Sequence, residues 1–111
     1  QLGNFPGLSM NPEPAGTING YWMPTVVFNS EAGLSREQLQ AAFAVENIDA
    51  RVFFWPLSSL PTFEAALGNT YAFQIPTRAI NLPSYHDISE IDLCRVVQTL
   101  SSLYENAGLI K

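Results

Sequence analysis

Eight prolines cut this chain of 111 residues into short pieces. A proline lacks the amide hydrogen and locks φ, so it is shut out of helix interiors and of central strands. Pro6, Pro12 and Pro14 crowd the first nineteen residues, Pro24 interrupts the first apolar run, Pro56, Pro61 and Pro76 divide the middle, and Pro83 ends the last short run. Regular elements have to fit between these breaks. In residues 1–19 the prolines alternate with Gly3, Gly7 and Gly16, and no helical or strand period survives. This segment reads as an irregular end or as a linker from a preceding domain. The chain opens on Gln1 rather than Met, so a further N-terminal part is expected.

Beyond the lead-in the pattern sharpens. Tyr21 to Phe28 is rich in aromatic and β-branched residues, which predicts a strand. Pro24 requires that strand to lie at an edge or to be interrupted there. Ser35 with Gln38 three residues on forms a capping box, and Leu34 and Leu39 stand where a hydrophobic staple would close. Leu39, Ala42 and Phe43 continue at helical spacing, so a helix is predicted over 36–46, with Asn47 as a left-handed stop. Residues 51–55 read as a second strand ended by Pro56. The stretch 56–78 is irregular, with one helical turn expected over 62–67. Residues 79–82 form a short strand stopped by Pro83. Asp87 and Glu90 predict the start of a final helix whose stripe is Leu93, Val96, Val97, Leu100 and Tyr104, closed by Gly108. The economical packing is an α+β two-layer sandwich: an approximately three-stranded sheet with two main helices on one face and the other face open to a partner.

Composition narrows the functions open to such a domain. Hydrophobic residues make up 47% of the chain, enough for a core, and the net charge is −5. An acidic chain lacks the basic face that nucleic acid or an anionic membrane surface requires. Its apolar runs fall well short of the ~20 residues that span a bilayer, and no secretory leader pattern is seen. A single cysteine, Cys94, excludes an internal disulfide or a thiolate cage, and a single histidine, His86, excludes a multi-histidine metal site. The only lysine is Lys111. Schiff-base chemistry, which needs a buried amine, therefore cannot be completed within these residues.

Few side chains remain as candidates for chemistry. Cys94 falls beside the apolar stripe of the last helix and is expected to be a buried small hydrophobe. His86 and Asp87 are neighbours in sequence, an arrangement that does not let the carboxylate orient the ring for a serine, so a triad with Ser58 or Ser59 is set aside. His86 is read as an ordinary surface residue or as a loop residue facing a ligand. Arg36, Arg51 and Arg95 are expected to pair with surface carboxylates, and Arg78 to have a structural or a substrate role. Phe53 to Leu57 is the densest aromatic cluster. Trp55, at the strand end before Pro56, is the member best placed to reach a ligand.

Two segments, 51–61 (Arg-Val-Phe-Phe-Trp-Pro-Leu-Ser-Ser-Leu-Pro) and 79–87 (Ala-Ile-Asn-Leu-Pro-Ser-Tyr-His-Asp), resemble the C-terminal domain of the DegT/DnrJ/EryC1/StrS sugar aminotransferases, and most closely their perosamine-synthetase-like branch. The likeness runs from about Gly20 to Tyr104. It implies a small C-terminal domain over 20–111 of a fold-type-I transferase, with 1–19 as an extended linker from a missing large domain. It further implies pyridoxal phosphate (PLP) in the full-length enzyme, held by the large domain and not by this chain, with no catalytic residue here. The implied substrate is a keto-sugar nucleotide aminated from glutamate, in a cytoplasmic homodimer that engages neither nucleic acid nor membrane. Substrate lining is what carries over to these residues: Trp55 as an apolar wall, Ser58 and Ser59 as donors to hydroxyls, and His86 with Tyr85 before the last helix. Many family members have Pro-Leu-His where Pro56-Leu57-Ser58 stands, which leaves the sugar open. The competing reading is a stand-alone, non-catalytic α+β binding or adaptor module.

Overall fold

The computed structural model describes residues 2–110 and shows a single antiparallel sheet covered by helices. Four strands and three helices run in the order β1 (Leu8–Met10), β2 (Thr25–Phe28), α1 (Arg36–Val45), β3 (Arg51–Val52), α2 (Thr70–Gln74), β4 (Ala79–Asn81) and α3 (Glu90–Asn106). The spatial order is β1-β2-β4-β3, and every pairing is antiparallel. Val26 sits opposite Ile80 in the register, and Phe28 shares their face because side chains alternate along a strand. These three meet Leu39 and Phe43 of α1 and Val96, Leu100 and Tyr104 of α3 in one core. Both long helices therefore cover the same face, the two-layer α+β arrangement expected from the sequence. The sheet has four strands rather than about three.

The extra strand comes from the lead-in. Leu8, Ser9 and Met10 pair with Phe28, Val27 and Val26. Gly7 makes the approach possible. Its φ is +70°, its carbonyl accepts from Asn29 N at 2.7 Å, and a Cβ there would stand 2.6 Å from the Asn29 side chain. Phe5 packs edge-on against Tyr104 with ring centroids 4.9 Å apart, and the Tyr104 hydroxyl donates to the Pro6 carbonyl at 3.1 Å. Three residues carry too little alternation to be read as a strand among so many prolines and glycines.

Local signals set the helix ends. Ser35 Oγ accepts from Gln38 N at 3.3 Å while Ser35 N donates to Gln38 Oε1 at 2.8 Å, and both staple leucines are buried. The start of α3 lies later than expected. Ser89, not Asp87, is the cap: its Oγ accepts from Asp92 N at 3.1 Å and donates to Asp92 Oδ2 at 2.7 Å. Both helices close in the same way. Asn47 (φ +54°) and Gly108 (φ +69°) adopt left-handed conformations, and the next amide, of Ile48 or Leu109, reaches back to Phe43 O or Tyr104 O at 2.9 Å.

The remaining differences have steric causes. β2 begins only after Pro24 and lies inside the sheet, so the proline interrupts the strand instead of marking an edge. β3 stops at Val52, because Pro76 lies in the turn before β4 and leaves Phe53 to Trp55 almost no strand to pair with. The helical turn expected over 62–67 forms instead at Thr70–Gln74. Leu93 and Cys94 are exposed, and the buried stripe of α3 is Val96, Thr99, Leu100 and Tyr104. Cys94, two residues and so about 200° round the helix from Val96, falls off this stripe and sits at the rim, beside Met10, Pro24 and Pro83. The second face of the sheet is not bare, since Ala79 and Asn81 are buried on it. From Arg51 to Ile75 no residue is buried.

Candidate functional site

Pro56 turns the chain out of the sheet. Ser59 N and Ser59 Oγ both donate to the Pro56 carbonyl, at 2.9 and 2.6 Å, and this closes a single 3-10 turn over Leu57–Ser59. The turn points Ser58 inward, where its Oγ is buried without a hydrogen-bond partner. Trp55 remains 53% exposed. The Arg36 guanidinium, from the first turn of α1, lies over the indole with its carbon 4.1 Å from the ring centroid. Its Nη1 is also buried without a partner. Trp55, Ser58 and Ser59 thus lie on one short segment at a corner of the domain, and Trp55 brings that segment against Arg36.

His86 is placed elsewhere. It follows β4, whereas Trp55 follows β3, and antiparallel neighbours end at opposite sides of a sheet. His86 is exposed and makes no hydrogen bond among the described residues. Its neighbour Tyr85 lines a groove of about 340 Å³ with Arg51, Asn81, Asp92 and Arg95, a size at the lower end of ligand pockets. Asn81 is 3% exposed, and its Oδ1 accepts from Thr25 Oγ1 at 2.7 Å. Asp92 is the electrostatic centre of this groove. The Ser89 hydroxyl, then the Tyr85 hydroxyl at 3.0 Å, hold its carboxyl below the ordinary range. The same contact with Asp92 raises the Tyr85 phenol.

A pH prediction follows from this pair. The share due to Asp92 is full above the ordinary carboxylate range and is lost as pH falls through its lowered folded value. The share due to Tyr85 is full below the ordinary phenol pKa near 10 and is lost as pH rises through its raised folded value. Tyr85→Phe is expected to lower the unfolding midpoint at neutral pH and to flatten the decline above pH ~10. Urea midpoints at a series of pH values check this, and an unchanged alkaline slope would show the Tyr85–Asp92 bond to be absent in solution.

The arginines sort by their oxygen partners. Arg51 Nε lies 2.8 Å from Asp49. Arg95 donates to Glu46 O at 2.6 Å and lies 3.6 Å from Asp92. Arg78 donates to the Phe28 carbonyl and accepts from Phe28 N through its own, so its role is structural. Arg36 has no such partner among the described residues, against the surface pairing expected for it. A signal was available in the sequence: Leu39 and Gln40, the i+3 and i+4 neighbours of Arg36, carry no charge.

Among solved structures, the fold is similar to that of the aminotransferase TlmJ from Streptoalloteichus hindustanus, with a TM-score of 0.74 over 95% of this chain and 28% of that one, at 18% identity. At that identity the likeness concerns the fold alone. In sequence the chain is 29% identical over 116 residues to an aminotransferase named EpsN from Bacillus subtilis (strain 168), covering 99% of this chain. It is 24% identical to GDP-perosamine synthase of Vibrio cholerae over 94% of its length. The chain spans only 29% of the length of each of these two relatives. No helix among the described residues is long and apolar enough to cross a membrane. The family reading of segments 51–61 and 79–87 is matched by a family model that runs through residues 1–101, and the chain belongs to the DegT/DnrJ/EryC1/StrS aminotransferase family.

Proposed function

We propose that this chain is the substrate-lining C-terminal domain of a PLP-dependent sugar aminotransferase, which moves an amino group from glutamate to a keto-sugar nucleotide. Family membership supports the class of reaction, and the Trp55–Ser59 turn supports the role of this domain. A half-exposed indole, and three residues on a hydroxyl with no partner, offer an apolar wall and a donor for a polar group of a sugar nucleotide. Ser59 rims the same turn, and His86 with Tyr85 is assigned to a more distant part of the substrate.

The residues of this chain do not fit the cofactor. PLP-dependent amino transfer needs a lysine amine, and there is no lysine among the described residues. The cofactor and the proton transfers are therefore assigned to a large domain preceding residue 1, in a cytoplasmic homodimer. The exposed apolar side chains Leu57, Leu60, Phe63, Leu67 and Tyr71 are the surface that this large domain would cover.

The test is amino transfer from glutamate to a panel of keto-sugar nucleotides by the longer protein carrying this chain. Activity is expected with the longer protein and none with residues 1–111 alone. Ser58→Ala is expected to raise KM for the sugar nucleotide about 3- to 10-fold with kcat little changed. Sugar-nucleotide binding by residues 1–111 alone, with no amino transfer by any longer form, would favour the adaptor reading.

A further inference from the structure

We propose that Arg36 is an oxyanion anchor: its guanidinium, together with the Ser58 hydroxyl, takes a phosphate or carboxylate group of the substrate. The inference rests on the reading that the Trp55 corner faces substrate, and it adds a residue to which the sequence assigned no such role. The chain carries ten carboxylates against four arginines and a lysine, so an arginine without an oxygen partner is unexpected here. Arg51, Arg78 and Arg95 all have one. Arg36 has none among the described residues, and one of its terminal nitrogens is buried besides. Withholding a guanidinium N–H from both water and protein costs more than an ordinary unmade hydrogen bond, because the group is charged. An arriving acceptor would offset that cost.

Three further features define the acceptor. The Arg36 guanidinium lies against the Trp55 indole, its carbon 4.1 Å from the ring centroid, and the planar fork of a guanidinium suits the parallel oxygens of a carboxylate or phosphate. Among the described residues the other buried side-chain atom without a partner is Ser58 Oγ, three residues after Trp55, and a hydroxyl can donate to an oxyanion. Trp55 is half exposed and Arg36 as a whole is only partly buried, so the corner borders solvent. The acceptor thus needs at least two oxygens and a negative charge. Both substrates of the proposed reaction carry such a group, the nucleotide as diphosphate and the amino donor as carboxylate.

Calorimetric titration of the longer protein with inorganic pyrophosphate and with glutamate separates these sources, and it does not depend on turnover. Arg36→Gln is expected to weaken one of the two about 10- to 100-fold and to leave the other unchanged. Arg36→Lys, which keeps the charge but not the fork, should restore part of the loss. Ser58→Ala should weaken the same probe by a smaller factor. A shift confined to pyrophosphate assigns the corner to the diphosphate, and one confined to glutamate assigns it to the amino donor. If Arg36→Gln lowers the thermal midpoint while both affinities stand, the partner of Arg36 is a carboxylate elsewhere in the protein and the proposal is overturned. Equal affinities with an unchanged midpoint overturn it as well. Should the longer protein transfer no amino group yet lose pyrophosphate binding on Arg36→Gln, the anchor stands and the aminotransferase reading falls.

Discussion

A chain shortened to begin at Gly20 is expected to lose about 3–6 kcal/mol of folding stability, a large part of the 5–15 kcal/mol typical of a domain. The reason is the depth at which the first residues are built in. Leu2, Phe5 and Leu8 pack against the core, and burying each large apolar side chain contributes roughly 1.5–3 kcal/mol when complete and less when partial. β1 also satisfies one edge of β2, whose Val26 and Phe28 are fully buried. Without it, that edge presents unpaired amides and carbonyls beside an opened apolar face. Urea denaturation of the two chains measures the difference. Equal midpoints would mean that residues 1–19 are the simple connector their composition suggests.

Tyr104 is where the lead-in and the last helix meet, and its substitution should rank next in effect. The ring is fully buried, with Phe28 at 5.6 Å and Phe5 at 4.9 Å between centroids. Tyr104→Ala is expected to cost about 3–5 kcal/mol, the range for deleting a large buried ring. Tyr104→Phe removes only the hydrogen bond to the Pro6 carbonyl and should cost about 0.5–1.5 kcal/mol. The two experiments combine into a cycle. In the chain that begins at Gly20 the Pro6 acceptor is gone, so Tyr104→Phe should there cost close to nothing. A cost equal to that in the intact chain would show that the hydroxyl stabilises the fold through some other group. Burial raises the Tyr104 phenol above its ordinary range, so unfolding in strong alkali should also ease as the hydroxyl ionises.

The parts of the fold legible in the sequence were those written in local chemistry. Ser35 and Gln38, Leu34 and Leu39, and the left-handed Asn47 and Gly108 all act within one turn of the helix they delimit, and each stands where its residue type requires. The cap of α3 was misplaced because Asp87-x-x-Glu90 and Ser89-x-x-Asp92 carry the same pattern two residues apart, and only tertiary packing chooses between them. β1 was illegible for a different reason: its three residues are held by partners about twenty positions away, not by any period of their own.

The candidate site divides along the same line. Trp55, Ser58 and Ser59 were readable as one segment, because their arrangement follows from Pro56 and the turn behind it. Arg36 belongs to the same corner through a contact across nineteen residues. The sequence shows only that neither its i+3 nor its i+4 neighbour is a carboxylate. Asp92 escaped notice for a similar reason, since its role beside Tyr85 depends on which residue caps α3.

The absence of any buried residue between Arg51 and Ile75 carries a consequence for how such a domain can diversify. Fold and recognition are separable here. The core is drawn from β2, β4, α1 and α3 with the Phe5 corner, whereas the turn that presents Trp55 and Ser58 hangs from a two-residue strand. Changes in this stretch leave core packing untouched, and within this domain they have the tolerance of surface positions, with Leu57, Leu60 and Phe63 still answering to the large domain proposed to cover them. A relative's version can therefore be transplanted between Val52 and Pro76 as a cassette. Only Arg36, fixed in the scaffold, stays behind as the point against which every exchanged turn must register.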